Sequence, residues 1–209
     1  MANIIVIAAA SGIGQATVIG LRAAGHQVFT TARSTDKITP DAVVDATDFD
    51  AVDAAFAQAI TAMGSIDGVV NCAGSLLLKS AHLTTQQQYQ SVIDASLTTA
   101  FATVRAAGKH MGSGGSVVLI SSAAAMAGLA NHDAIAAAKA GILGLTLSAA
   151  ATYAPQNLRV NAVAPGLTET PLTASITGNA SARTFSLAMH ALGRLGTPDD
   201  VARAITFLL

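Results

Sequence analysis

The chain has 209 residues, of which 52% are hydrophobic and 11% are charged, and its formal net charge is −1. Such a hydrophobic, weakly charged composition excludes a disordered chain. The near-zero net charge and the scatter of lysine and arginine along the chain give no electrostatic basis for binding nucleic acid or an anionic membrane surface, so neither is expected as a partner.

Short apolar runs alternate with longer stretches of helical periodicity. In chain order, the sequence predicts a strand at residues 3–9, a helix at 12–24 closed by Gly25, strands at 26–32 and 41–46, a helix at 48–64, a strand at 66–74, a helix at 84–110, a strand at 115–124, a helix at 132–153, a strand at 158–166 and a helix at 197–209 capped by Thr197. Strands that are apolar throughout and alternate with helices form a parallel sheet covered on both faces. We therefore predict an α/β fold with a single doubly wound parallel sheet of the Rossmann type and helices on both faces.

Residues 1–209 contain no linker, repeat or low-complexity segment, which predicts one domain. No run approaches eighteen uninterrupted apolar residues, and the first apolar run lacks the basic start of a signal peptide, so no membrane segment is expected. The single Cys72 excludes an internal disulfide and fits the cytoplasm. No histidine pair has metal-ligand spacing, and we expect no metal site.

A glycine-rich turn, "ASGIG" at residues 10–14, joins the first strand to the first helix. Glycines at such a junction let the backbone approach a pyrophosphate, and the helix N-terminus offers N–H donors and the positive end of its dipole. Ser11, Gly12, Ile13 and Gly14 are therefore candidate cofactor-binding residues. The alternative is a tight strand-to-helix turn with no ligand.

The end of the second strand is where the cofactor's adenosine ribose would lie. A carboxylate there selects NAD, but this chain has Ala32 followed by Arg33. A guanidinium suits a 2′-phosphate, so the local chemistry favours NADP over NAD. The alternative for Arg33 is a solvated surface charge.

Six stretches together resemble the short-chain dehydrogenase/reductase family, over nearly the whole chain. They are "ASGIG" (10–14), "DATD" (45–48), "NCAG" (71–74), "SS" (121–122), "APGLTET" (164–170) and "GRLGTPDDVA" (193–202). The resemblance implies an adenine contact at Asp45 and Ala46. It also implies further cofactor contacts on two turns, at Asn71, Ala73, Gly74, Pro165, Gly166, Thr168 and Thr170.

The resemblance also implies a reaction. Hydride passes between a nicotinamide and the carbon of a small-molecule carbonyl or alcohol, while a serine holds the oxygen and a tyrosine delivers the proton. A lysine binds the nicotinamide ribose and lowers the pKa of the tyrosine, and an asparagine helps to hold a water relay. Mapped onto this chain, the serine is Ser122 and the lysine is Lys139.

Several family positions differ here. Ile135 stands at the tyrosine position and has no proton to give, and Ser96 stands at the asparagine position. Ala8 and Ile7 replace the first glycine and the threonine of the turn. The stretch at residues 33–42 is too short for the helix that usually follows the second strand.

His132 is a candidate replacement acid, because it lies three residues before Ile135 and seven before Lys139. If the helix includes it, the three share a face, and histidine titrates near neutral pH. The alternative is a loop or helix-cap residue. Tyr89 and Tyr153 are poorer candidates that we interpret as packing residues.

Two functions follow. One is an NADP-dependent oxidoreductase with a modified acid site, and the other is a non-catalytic nucleotide-binding or assembly protein on the same scaffold.

Residues 172–193 are expected to form a lid over the substrate. The chain ends at Leu209, where the family continues into a seventh strand. The sixth strand would then be a sheet edge, which predicts a homodimer or homotetramer; the alternative is that a C-terminal strand follows Leu209.

Overall fold

The structure is a computed structural model that describes residues 1–209. Six parallel strands form one sheet in the order β3-β2-β1-β4-β5-β6. The strands are β1 (Asn3–Ile7), β2 (Gln27–Ala32), β3 (Ala42–Val43), β4 (Gly68–Asn71), β5 (Gly115–Ile120) and β6 (Leu158–Val163). The helices are α1 (Gly12–Ala23), α2 (Phe49–Met63), α3 (Gln86–Ile93), α4 (Thr99–His110), α5 (Asp133–Tyr153), α6 (Ala174–Thr177), α7 (Ala180–Ala188) and α8 (Pro198–Leu208). The predicted doubly wound α/β fold is confirmed.

The central strand β1 shows why the fold has two apolar layers. Its side chains alternate between the two faces of the sheet, and all except the first are buried. Ile5 joins a core that includes Phe56 of α2 and Ile142 of α5. Ile4 joins the opposite core, which includes Leu21 of α1 and Ile205 of α8. A strand that is apolar throughout therefore packs helices on both sides.

The helix ends follow the predicted capping chemistry, with one adjustment. Asp48 caps α2 by accepting from two backbone N–H groups, and Thr197 forms a capping box with Asp200 at the start of α8. The first helix ends one residue earlier than predicted, with Ala24 as the C-cap. Gly25 follows with φ 83°, a conformation that favours glycine.

Several strands are shorter than predicted at their carboxyl ends. The strands predicted over residues 66–74, 115–124 and 158–166 stop at Asn71, Ile120 and Val163. After Asn71 and Ile120 one more backbone bond to the neighbouring strand forms before the chain turns, from Cys72 N–H to the Ile7 carbonyl and from Ser121 N–H to the Val163 carbonyl. The third strand is only Ala42–Val43, and residues 33–41 contain no helix, as their short length predicts.

The helical run predicted over residues 84–110 contains a wide turn. Residues Asp94–Thr98 form a π-helical segment between α3 and α4. Ser96 lies in this segment and is buried. Such bulges are frequent at functional sites, because they displace side chains and free backbone carbonyls. Periodicity alone did not predict this break.

The helix α5 is apolar around most of its circumference. Residues Asp133–Gln156 are long and apolar enough to cross a membrane by length and composition alone, with a mean hydropathy of 1.6. One helix of this kind is weak evidence, since a core helix passes the same test. Here the helix packs against β6 and β5, and 39% of the apolar window is buried, so much of its apolar surface remains accessible.

Candidate functional site

The predicted site residues collect at the carboxyl edge of the sheet. The chain order reverses between β1 and β4, and the loops that follow β1, β4, β5 and β6 meet at this edge. In open α/β sheets ligands bind in the crevice at such a switch point. The fold thus brings together residues that are far apart in sequence.

The glycine turn is tightly constructed around the start of α1. Ser11 is the N-cap, and its Oγ accepts a hydrogen bond from the Gly14 N–H at 3.0 Å. A Cβ on Gly14 would lie 2.5 Å from the Ala8 carbonyl oxygen, and one on Gly12 would lie 3.0 Å from the Thr170 side chain. A larger residue therefore does not fit at Gly14, and one at Gly12 would require the Thr170 side chain to shift. The first N–H groups of the helix, including that of the half-buried Ile13, have no partner within the helix.

Ala8 occupies a conformation that glycine adopts more readily. Its φ is 57°, in the left-handed region. For a residue with a Cβ this costs about 1–2 kcal/mol. The departure seen in the sequence therefore introduces local strain, yet the turn keeps its shape because Ser11 donates its N–H to the Ala8 carbonyl at 3.0 Å.

The end of β2 is followed by a cation that forms no ion pair. Arg33 follows the buried Ala32, is exposed and forms no ion pair. Asp45 accepts from the Thr47 N–H at 3.0 Å and from the Thr47 hydroxyl at 2.8 Å. These hydrogen bonds, with a smaller effect of Arg33, lower the pKa of Asp45. Ala46 is the half-buried residue that follows.

Asn71 fixes the turn after β4. It is buried, its Nδ2 donates to Thr103 Oγ1 at 2.9 Å, and its Oδ1 accepts from the Ala73 N–H at 2.8 Å. Both ends of the amide are therefore satisfied. The side chain therefore links α4 to the loop that carries Ala73 and the exposed Gly74.

Lys139 is the most unusual residue of the site. It is only 6% exposed, forms no ion pair, and donates from Nζ to the Ile120 carbonyl at 2.7 Å. A Cβ on Gly74 would lie 3.3 Å from this Nζ. Burial lowers the pKa of Lys139 to about 8, an effect that only a negatively charged Cys72 would oppose. Burial in turn raises the pKa of Cys72 to about 12, so the thiol is neutral.

Ser122 follows the end of β5, two residues after the Ile120 carbonyl that accepts from Lys139. Its Oγ accepts from the Ala124 N–H at 3.1 Å and starts a short 3₁₀ turn. The next residue, Ala123, donates its N–H to the Pro165 carbonyl at 2.9 Å. This bond ties the segment after the serine to the loop with Gly166, so two of the predicted motifs meet here.

Ile135 presents no polar atom to this site. It is 4% exposed and belongs to an apolar cluster with Val92, Ala134 and Ala138, against which Leu77 also packs. The isoleucine is thus a packing residue one helical turn before the lysine.

The structure corrects the position expected for His132. It is the N-cap of α5 and lies outside the helix, since the preceding Asn131 has φ 62° and turns the chain. Its Nδ1 lies 2.8 Å from the Ala130 carbonyl. His132 therefore does not share a helical face with Ile135 and Lys139. Its catalytic role stays a prediction.

The two tyrosines differ in their surroundings. The Tyr153 ring packs against Gly108 of α4, where an added Cβ would lie 2.5 Å from the ring. Tyr89 is 46% exposed and lines a groove of about 290 Å³ with Asp133 and Ala134. Only Tyr153 fits the predicted packing role.

The loop after β6 is connected to the segment predicted as a lid. Thr168 is buried and donates from Oγ1 to the Gly166 carbonyl at 3.2 Å, and Thr170 forms a capping box with Thr173. Residues 172–193 contain α6 and α7, and an ion pair of 2.5 Å between Arg183 and Glu169 ties α7 to the loop. The predicted lid segment is therefore largely helical.

Three buried polar atoms in this region have no hydrogen-bond partner. They are Ser75 Oγ, Ser96 Oγ and His190 Nε2. The sequence had singled out Ser96 by its position, but no pattern distinguished Ser75 or His190, because their burial depends on the packing of separate loops.

Comparison with known proteins gives a consistent result. A family model described as "Enoyl-(Acyl carrier protein) reductase" matches residues 7–209. The chain is 38% identical to cis-4-hydroxycyclohexanecarboxylate dehydrogenase of Sinomonas cyclohexanicum, over 98% of this chain and 87% of the relative. It is 32% identical to the 3-oxoacyl-[acyl-carrier-protein] reductase FabG of Thermotoga maritima, over 98% of this chain and 88% of the relative.

Solved structures agree with these relatives. A short-chain type dehydrogenase/reductase from Mycobacterium ulcerans superposes with a TM-score of 0.91 at 30% identity, covering 99% of this chain and 82% of that one. ElxO with NADP bound gives a TM-score of 0.90 at 26% identity, covering 100% and 91%. The fold and its carboxyl-edge crevice define a Rossmann-like α/β protein. More narrowly, the chain belongs to the short-chain dehydrogenase/reductase family.

Proposed function

We propose that this chain is a cytoplasmic NADP-dependent oxidoreductase that acts on a small-molecule carbonyl or alcohol with a modified acid site. The observation that carries the proposal is the buried, unpaired Lys139. Removing an ammonium group from water without a counter-charge is costly, and buried charges of this kind concentrate at functional sites. A scaffold with no ligand would gain stability by replacing it.

The residues at the carboxyl edge fit a phosphorylated dinucleotide. The first N–H groups of α1 have no partner within the helix, which suits a pyrophosphate at that helix end, and Arg33 forms no ion pair and is free to meet a 2′-phosphate. Lys139 would hold the nicotinamide ribose, as the family resemblance implies, while Asn71 fixes the turn that carries Ala73 and Gly74 beside the cofactor. When bound, this cofactor supplies or accepts the hydride.

Side chains of this protein carry out the other parts of the proposed reaction. Ser122 holds the substrate oxygen through its hydroxyl, and the Lys139 ammonium stabilises negative charge that develops nearby. Ile135 stands at the family's tyrosine position and provides no proton, so the proton exchanged with the substrate oxygen comes from another group. This is the modified acid site of the proposal.

The substrate proposed is a small molecule with a secondary alcohol or ketone. The relatives are named for a cyclic hydroxy acid, for L-rhamnose and for 3-oxoacyl chains. In this chain the lid exposes Leu172, Phe185, Met189 and Leu192. An apolar lid favours a substrate with a hydrocarbon body beside the reacting carbon.

Arg33→Ala tests the cofactor preference. We expect the Kd for NADPH to rise about tenfold, because a charge-assisted contact to the 2′-phosphate is lost, while the Kd for NADH stays unchanged. Enhancement of NADPH fluorescence is a suitable probe, since the chain has no tryptophan. Lys37→Ala is the matched control, as this lysine is exposed on the same loop. Equal loss for both cofactors would contradict the assignment.

We also propose a homodimer or homotetramer assembled through α4 and α5. Phe101 of α4 is 50% exposed and Leu147 of α5 is 75% exposed, which leaves apolar side chains on both helices in water. We expect light scattering at micromolar concentration to report a dimer or tetramer, and Leu147→Asp to shift it towards monomer. A monomeric wild type would refute the assembly.

The competing function is a non-catalytic nucleotide-binding protein. The apolar cluster around Ile135 favours it, because the site lacks a hydroxyl where the family reaction needs one. The two functions agree on NADPH binding and differ on turnover. NADPH binding without reduction of any carbonyl substrate would support the non-catalytic alternative.

A further inference from the structure

His190 has one ring nitrogen bonded and one left free. It follows α7, and its Nδ1 lies 2.7 Å from the Ser186 carbonyl in the last turn of that helix. A carbonyl only accepts hydrogen bonds, so Nδ1 carries the hydrogen and the neutral ring keeps its lone pair on Nε2. This Nε2 is buried and has no partner. The ring is therefore held in one tautomer with an unused acceptor.

The free nitrogen faces the loop after β6. A Cβ on Gly166 would lie 2.7 Å from His190 Nε2, so a larger residue there would displace the ring from this position. Gly166 follows Pro165, whose carbonyl accepts the N–H of the residue after Ser122. The histidine thus lies against the loop that is tied to the proposed substrate-holding serine.

The lid keeps the ring in this place through two further contacts. The Thr168–Gly196 bridge aligns the segment after His190 with the loop after β6, and the Arg183–Glu169 ion pair holds α7 to the same loop. The ring of His190 is therefore held against the loop after β6, and that loop is hydrogen-bonded to the residue after Ser122.

We propose that His190 is the group that exchanges the proton with the substrate oxygen, in place of the hydroxyl missing at Ile135. The inference rests on the proposed oxidoreductase function and deepens it. A buried acceptor without a donor is unfavourable, and a substrate hydroxyl that enters beside Gly166 would satisfy it. The apolar surroundings of Ile135 offer no competing donor.

The step balances in both directions. In reduction, the carbonyl carbon gains the hydride, the C=O π electrons move to oxygen, and that oxygen takes the proton from Nε2 of the imidazolium. His190 is left neutral and regains a proton from water, while NADPH becomes NADP⁺. In oxidation, neutral Nε2 takes the hydroxyl proton as the carbon loses its hydride to NADP⁺.

The test compares His190→Ala and His190→Gln with wild type. The probes are NADP⁺ with cis-4-hydroxycyclohexanecarboxylate and NADPH with an acetoacetyl thioester. We expect turnover to fall at least about 100-fold in both variants, with the Kd for NADPH unchanged as a check on folding. Added imidazole is expected to restore part of the turnover of His190→Ala. His82→Ala, on an exposed turn, is the matched control and should behave as wild type.

The outcomes separate this inference from the function on which it rests. If wild type is active and His190→Ala is equally active, His190 is not the proton-exchange group and the oxidoreductase function stands. If His190→Ala loses turnover and added imidazole does not restore it, while His190→Gln keeps its turnover, His190 has only a packing role and the inference is overturned. A wild type that binds NADPH and turns over neither probe would overturn both.

Discussion

Lys139→Met is expected to lower turnover by about 10²–10⁴-fold, while the protein stays folded and becomes more stable at neutral pH. Methionine keeps the length and apolar stem of the side chain but removes the ammonium group. The variant therefore loses the charge proposed to hold the nicotinamide ribose. It also loses the cost of burying that charge, which no carboxylate offsets.

The pH dependence of stability gives an independent measurement on the same variant. The pKa of Lys139 falls from 10.5 when unfolded to about 8 when folded, which is a penalty of about 3 kcal/mol on the charged form at neutral pH. Between these values the unfolded state binds more protons, so the stability of wild type rises with pH from about 8 towards 10.5. Lys139→Met should lack this rise.

The free energy of unfolding of wild type and Lys139→Met is measured in urea at pH 7, 8, 9 and 10. The difference between the two proteins at each pH cancels the contribution of all other titrating groups. We expect Lys139→Met to be about 1–3 kcal/mol more stable at pH 7, with the advantage shrinking as pH rises. Lys37→Met, at an exposed lysine, should show neither effect. Full turnover in Lys139→Met, or an unchanged pH profile, would contradict the role given to this residue.

Ile135→Tyr is expected to raise NADPH-dependent carbonyl reduction at least about tenfold, since a general acid contributes about 10²–10⁴-fold where it is well placed. The new hydroxyl would stand one helical turn from Lys139, on the same face of α5. It must enter a packed cluster, where a larger ring costs about 1–3 kcal/mol. Leu77 gives the room, since it is only partly buried on a loop without regular structure.

Ile135→Phe is the matched control, because it adds the ring without the hydroxyl. A gain with tyrosine and none with phenylalanine would assign the effect to the proton donor. Equal activity of both would show that packing, and not the acid, limits the reaction.

The Ile135→Tyr background also separates the two histidines. If His132 supplies the proton, His132→Ala abolishes the wild-type activity and spares the tyrosine variant. The same pattern with His190→Ala would assign the role to His190. Activity that is unchanged by both substitutions would mean that neither histidine supplies the proton.

The layered fold was predictable because its signals are local. An apolar strand such as Asn3–Ile7, a capping residue such as Asp48 and a proline at the start of α8 each specify their element within a few residues. The glycine turn was equally readable. The need for glycine in this turn follows from one distance, because a Cβ on Gly14 would lie 2.5 Å from the Ala8 carbonyl oxygen.

Other features of the site depend on contacts between distant segments. Asn71 meets Thr103 across 32 positions, and the ring of His190 meets Gly166 only because the lid folds back on the loop. The π-helical turn at Asp94–Thr98 and the exclusion of His132 from α5 reflect backbone choices that periodicity does not encode. A family pattern names positions, but burial and hydrogen bonding decide what each position can do.

The most direct test of the account is hydride transfer by the wild-type protein. NADPH deuterated at the transferred C4 position is incubated with an acetoacetyl thioester, and the product alcohol is analysed by mass spectrometry. The account predicts saturable NADPH binding and deuterium on the carbinol carbon of the product, with much less label when Lys139→Met replaces wild type. Saturable NADPH binding with no label above the protein-free control, for this thioester and for other ketones, would contradict it.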